Sequence, residues 1–265
     1  MSWTDVLGRV SFCNCDPIFN GISDRWKVFS APPSWLCGHV IRRDCITAPI
    51  PTADYAKFKN ELILLPDIAI VSKGSTGSVL IFGNRPLESM RDIAVPTDSS
   101  SSRQLLDWIL KEKDLDPRRV EMAPDLGQML AECDGALIIG DRALLESKTN
   151  PNLVVMDLGA EWSSITDLPM VFGVFAARKD TDPSLLATAH SDMLYQLDRF
   201  DKDITWRNHV IGDASMATGL SETRLDNYYS NEVWNRLDSD AVLGLDMYLS
   251  LVCESSEGAD WVEIG

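Results

Sequence analysis

Five short polar turns carry the side chains of this sequence best placed for chemistry. They are Asn14-Cys15-Asp16, Pro51-Thr52, the loop Ser72-Lys73-Gly74-Ser75-Thr76-Gly77-Ser78, the run Ser99-Ser100-Ser101-Ser102, and Gly140-Asp141. Each falls where an apolar segment gives way to a helix or a crossover. Amides, hydroxyls and backbone N–H groups at such points suit a small carboxylate, because the start of a helix leaves N–H groups unpaired and carries partial positive charge. Any one of these turns alone is an ordinary cap or loop. Their recurrence at strand ends is what points to a shared anion pocket, with Lys73 and Arg103 as candidate cations beside it.

Other chemistries find little support. His39, His190 and His209 have no partner at ligand spacing, and there is no phosphate-binding loop, dinucleotide fingerprint, Gly-x-Ser-x-Gly elbow or paired metal motif. The cysteines at 13, 15, 37, 45, 133 and 253 form no zinc pattern and read as reduced thiols. A formal net charge of −16 argues against nucleic acid or an anionic membrane as partner. It also requires any anion site to be organised locally. No apolar run approaches the roughly 20 residues of a membrane helix. The start, Met1-Ser2-Trp3-Thr4-Asp5, lacks the basic and apolar regions of a secretion signal. Any reaction must then rest on hydrogen-bond donors and at most one weak base.

The elements that would position these turns follow from periodicity. A strand is predicted at Val10–Phe12, with a helix from about Pro17, since proline tolerates the first helical turn. Strands over 46–50, 62–71 (interrupted at Pro66) and 78–82 frame the next two turns, with Thr52 as the N-cap of a helix over 53–59. A second series runs through strands at 93–95, 120–122, 136–139 and 153–156. Within it the serine run caps a helix over 103–113 whose apolar face is Leu105, Leu106, Ile109 and Leu110. The apolar strand 170–177 returns the chain to the first unit, and the tail from Pro183 is helical. Strands alternating with helices give an α/β class. The interrupted first unit, inserted second unit and helical C-terminal tail resemble the two-lobed, type II periplasmic-binding-protein architecture, with a ligand cleft between lobes. Residues 1–85 and 178–265 are expected in lobe 1 and 86–177 in lobe 2.

Several blocks carry a closer likeness. Gly8 to Phe19, Ala48-Pro49-Ile50-Pro51-Thr52-Ala53-Asp54-Tyr55, Leu65-Pro66-Asp67-Ile68-Ala69-Ile70 and Ser78 to Phe82 resemble segments of the chorismate dehydratases of the futalosine route to menaquinone. So do Ile138 to Leu144, Asp157 to Trp162 and Leu168 to Phe175. The resemblance covers about residues 7 to 178 and implies a cytoplasmic enzyme that removes water from chorismate with no metal or organic cofactor. It further implies that Asn14 is the catalytic residue, orienting the substrate or stabilising developing charge. Thr52, Ser75, Thr76, Ser101 and Ser102 would bind carboxylates or hydroxyls, with Ser11, Ser100, Gly140 and Asp141 completing the substrate-binding set. The dihydroxynaphthoate synthases of the same pathway typically carry a histidine in an Ile-His-Glu segment, where this chain reads Ile139-Gly140-Asp141. Cys13 and Asp16 depart from the dehydratase pattern, and Asp16 brings a charge near the pocket. The competing readings are a non-catalytic small-carboxylate binding protein or sensor, and a related enzyme acting on a futalosine-type substrate.

Overall fold

The computed structural model describes residues 2–264. The chain opens with β1 (Val6–Val10), a 3-10 turn over Cys13–Cys15, α1 (Asp16–Phe19), β2 (Lys27–Ala31), α2 (Pro33–Ile41), β3 (Thr47–Pro51), α3 (Thr52–Phe58) and the long β4 (Leu62–Ser72). Residues 73–78 then cross to β5 (Val79–Gly83) and β6 (Asp92–Pro96), followed by α4 (Ser101–Glu112), β7 (Arg118–Met122) and α5 (Leu126–Glu132). Next come β8 (Gly135–Ile139), α6 (Gly140–Thr149), β9 (Val154–Asp157), α7 (Leu158–Thr166) and the returning strand β10 (Met170–Arg178). The tail comprises α8 (Pro183–Lys202), α9 (Ile204–Thr218), α10 (Glu222–Asn227), a π-helical turn over Tyr228–Glu232, β11 (Trp234–Arg236) and α11 (Ser239–Leu251). Among the described residues no helix is long and apolar enough to cross a membrane.

The strands form two mixed sheets, ordered β11-β4-β10-β3-β1-β2 and β7-β6-β8-β5-β9. β1 runs parallel to β2 and β3, while β10 is antiparallel to both β3 and β4. The central strands β3, β5 and β8 are buried at every position, which is why they read as unbroken apolar runs rather than alternating ones. The predicted apolar face of α4 is fully buried at all four residues.

Sheet membership does not follow the boundaries at 85 and 177, although it agrees with the expected return of strand 170–177 to the first unit. Val79–Gly83 pairs with β8 and β9 in the second sheet, and Met170–Arg178 pairs with β3 and β4 in the first. We therefore propose that the crossovers lie at 73–78 and across α7 into residues 167–169. Other local expectations also shift. β1 ends at Val10, and Phe12 becomes the extended residue that precedes the 3-10 turn. β4 runs unbroken past Pro66 because the proline sits in a bulge, where Asp67 adopts φ 66° and the register against β10 slips. The pairing strand β2, with its mostly exposed pattern, carried no alternating signal and was not expected. Thr52 does not cap α3: Pro51 holds that position, and the Thr52 hydroxyl donates to the Val171 carbonyl at 2.7 Å.

Two features of this frame set its stability. The first is the approach of α11 to the start of β10, where a side chain on Gly244 would place its Cβ 2.0 Å from the Pro169 carbonyl oxygen. The second is the ion pair beneath the first turn, in which Arg9 of β1 meets Asp16 of α1. Burial lifts the Asp16 carboxyl to about 6, against the opposing pull of the Arg9 guanidinium.

Gly244→Ala is expected to lower unfolding free energy by about 1–3 kcal/mol in urea melts, since overpacking against backbone outweighs alanine's helical preference. For Asp16 the folded state holds its proton more tightly than the unfolded state, so this group's contribution falls as pH rises from 3.8 to about 6. Asp16→Asn should remove that downward component, seen as a changed slope of stability against pH across this window. An unchanged slope would contradict the assignment.

Candidate functional site

The facing ends of the two sheets line a cavity that opens to solvent. Its walls are mainly apolar, with Val10, Phe12, Ile70, Ile139, Phe172 and Val233 among them. The polar groups on its lining are Asn14, Thr76, Ser78, Ser99, Ser101 and Ser102. Among the described residues that line it, none carries an ionisable side chain. Such a site pairs an apolar seat for a ring with neutral donors for oxygen atoms.

Of the residues expected from sequence, the structure brings Asn14, Thr76, Ser101, Ser102 and Gly140 together on this lining. Ser11 is exposed, and its backbone N–H donates to Ala31. Ser75 is also exposed and donates to Asp157 at 2.8 Å. Ser100 faces the half-buried Asp54 carboxyl, whose pKa desolvation raises against the lowering effect of the Ser100 hydroxyl. Thr52 is turned to the Val171 carbonyl, and Asp141 to the Cys13 N–H. The candidate cations lie elsewhere: Lys73 pairs with Asp238 at 2.9 Å and Arg103 with Glu121 at 2.8 Å.

Asn14 sits in the 3-10 turn that follows β1 and is 8% exposed. Its side-chain oxygen, Oδ1, is buried yet has no hydrogen-bond partner among the described residues. A buried amide oxygen left unpaired is unfavourable by roughly 1–3 kcal/mol, so it is a position that a ligand donor or a water would satisfy. The backbone around it is held by residues of the tail. Tyr229 Oη donates to the Cys13 carbonyl at 2.9 Å, and Asn235 Nδ2 donates to the Asn14 carbonyl at 3.0 Å. The flanking cysteines are inert, since burial pushes the Cys15 thiol up to about 12 and the Cys13 thiol well above its usual range. Asp16 does not line the cavity; it turns back onto Arg9.

The serine run reaches the opposite wall through α4. Ser100 takes the N-cap position but caps with no side-chain hydrogen bond, and Ser101 and Ser102 are the first helical residues. Their N–H groups have no intrahelical acceptor by helix geometry, and the twelve-residue helix adds its dipole. Ser101 Oγ accepts from the Ala53 N–H at 3.2 Å, which ties this wall to α3.

The third wall is the crossover loop, and one carboxylate organises it. Asp157 accepts from Ser75 Oγ and the N–H groups of Thr76 and Gly77, and also from the Gly159 and Ala160 N–H groups at the start of α7. Thr76 and Ser78 are thereby buried on the lining, 3.2 Å apart, and Tyr228 Oη donates to Ser78 Oγ at 3.0 Å. The loop that holds Ser78 was marked from sequence, but the tail residues Tyr228, Tyr229 and Asn235 were not. Their partners are 150 or more positions away, so no local pattern marks them.

Comparison with known proteins bears on the fold and the family. A family described as menaquinone biosynthesis matches residues 6–254. The chorismate dehydratase of Thermus thermophilus is 30% identical over 194 residues, covering 67% of this chain and 71% of that protein. Among solved structures, protein AF1704 from Archaeoglobus fulgidus is similar at TM-score 0.73 and 17% identity, covering 94% of this chain and 96% of that one. The periplasmic aliphatic sulphonate binding protein SsuA from Escherichia coli is similar at TM-score 0.63 and 13% identity, covering 96% of this chain and 89% of that one. At these identities the structural likeness establishes the fold, the two-lobed periplasmic-binding-protein type, as expected from the sequence. The sequence matches establish the family: this chain belongs to the menaquinone biosynthesis family.

Proposed function

We propose that this protein is a chorismate dehydratase, a carbon–oxygen lyase that converts chorismate to 3-[(1-carboxyvinyl)oxy]benzoate and water as the first step of the futalosine route to menaquinone. The observation that carries this reading is the Asn14 amide, buried at the end of β1 with its oxygen unpaired in an apolar cavity. The likeness to the Thermus thermophilus chorismate dehydratase supports it from the side of sequence.

The reaction breaks two bonds of one ring. The proton on the ether-bearing carbon leaves, the hydroxyl on the neighbouring carbon leaves with the C–O electron pair, and the C–H electrons form the double bond that makes the ring aromatic. Proton and hydroxide together are the water released, and no redox change occurs. No ionisable side chain lines the cavity, and in this reading the base is the substrate's own enolpyruvyl carboxylate, tethered beside the C–H bond. The N-terminus of α4 with Ser101 and Ser102 would hold one carboxylate, and Thr76 with Ser78 would hold an oxygen on the crossover side. Asn14 would then fix the reacting edge of the ring and stabilise charge as the C–O bond lengthens. The apolar walls would lower the local dielectric and so strengthen each of these contacts.

Purified protein incubated with chorismate should give a product lighter by one water. Asn14→Ala should lower kcat by about 100-fold or more while the variant keeps the wild-type melting temperature, as expected for loss of a preorganised group acting in the transition state. Tight chorismate binding without turnover by the wild-type protein would instead favour a carboxylate-binding protein.

A further inference from the structure

Asp141 belongs to the second sheet's layer, at the start of α6, yet its carboxylate reaches into the first. Its two oxygens lie 3.0 and 3.2 Å from the backbone nitrogen of Cys13, the residue before Asn14. The contact next to it makes the same crossing. The Phe12 ring packs so closely on Gly140 that a Cβ there would come within 2.6 Å of it, and Gly140 holds φ 65°. The Asn14 turn thus has three restraints of long range: Tyr229 on the Cys13 carbonyl, Asn235 on the Asn14 carbonyl, and Asp141 on the Cys13 N–H. Of these three, Asp141 is the one that comes from the second sheet.

A carboxylate facing the cavity would repel an anionic ligand. This one does not line the cavity and is turned onto a backbone donor instead. Its charge is therefore not placed for the ligand, and its role is to accept.

We propose that Asp141 is a positioning residue: when the two layers meet, its carboxylate docks on the Cys13 N–H and sets the orientation of Asn14. The site is then complete only with the layers in contact. This rests on the dehydratase reading of Asn14.

The bond can be removed from either end in the full chain. Asp141→Ala deletes the acceptor, while Asp141→Asn keeps an oxygen there without the charge. Cys13→Pro deletes the N–H donor, and with it the thiol that also faces Asp141, at a position that tolerates it, because Cys13 opens a helical turn and Phe12 before it is extended at φ −96° and ψ 155°. Turnover of chorismate, melting temperature and hydrogen exchange over residues 12–16 would be measured for each variant and for the double variant Cys13→Pro/Asp141→Ala. The expected result is a fall in kcat of about tenfold or more for Asp141→Ala with KM changed little, and recovery of most of it in Asp141→Asn. Cys13→Pro should match Asp141→Ala, and the double variant should be no worse than either alone. Three results would overturn the proposal: wild-type kcat in Asp141→Ala, equal loss in Asp141→Asn, or losses that multiply in the double variant. Should Asp141→Ala fail to fold, Asp141→Asn and Cys13→Pro decide between the same outcomes. If the wild-type protein does not dehydrate chorismate, the Asn14 reading falls by itself. Exchange at residues 12–16 still tests the clasp, and equal exchange in Asp141→Ala and wild type would refute it.

Discussion

The Asp157 carboxylate accepts from five donors, two at the start of α7 and three in the crossover loop. Backbone N–H groups in a buried turn must find partners, and a loop that also joins two sheets has few carbonyls within reach. A single ionised acceptor solves this for both segments together. Removing it would strand several donors and release the wall that carries Thr76 and Ser78. The walls built on β1 and α4 are secured by more distributed contacts, so the crossover depends most on one side chain.

The same logic governs the other acidic groups near the cavity. Asp141 faces the Cys13 N–H, Asp16 faces Arg9, and Asp157 faces the loop. Each carboxylate is occupied by a donor of the chain, and none of the three lines the cavity. A chain of net charge −16 can in this way surround a cavity with acidic residues while lining it only with neutral groups. The affinity proposed for a carboxylate ligand rests on hydroxyls and a helix terminus rather than on fixed cations.

What could be read from the sequence was whatever depends on neighbours in the chain. The apolar face of α4, the serine run at its start and the Asn14 turn were legible because periodicity and turn residues are local signals. Thr52 illustrates the limit. A threonine after proline at a helix start reads as a cap, but a carbonyl 119 positions away in β10 takes its hydroxyl. Ser75 and Ser78 lie in one loop, and which of them faces the cavity is decided by Asp157 and Tyr228, both remote in sequence. β2 was missed because an edge strand with mostly exposed residues lacks alternation, and its pairing with β1 supplies what propensity does not.

The discontinuity of the first sheet has a consequence for the order in which the molecule can be made. Every strand of the second sheet comes from residues 79–157, a contiguous stretch, whereas the first sheet draws on 6–72, 170–178 and 234–236. Leu64 is also bridged to Trp261. During synthesis the second layer has all its strands once residue 157 has emerged, while the first still waits for its central strand β10 and its edge strand β11. Val233, Tyr229 and Asn235, which wall the cavity or brace the Asn14 turn, arrive with that late segment. A nascent chain therefore has every strand of one sheet before it has all those of the other, and the cavity cannot be complete until the segment that carries Val233 has emerged.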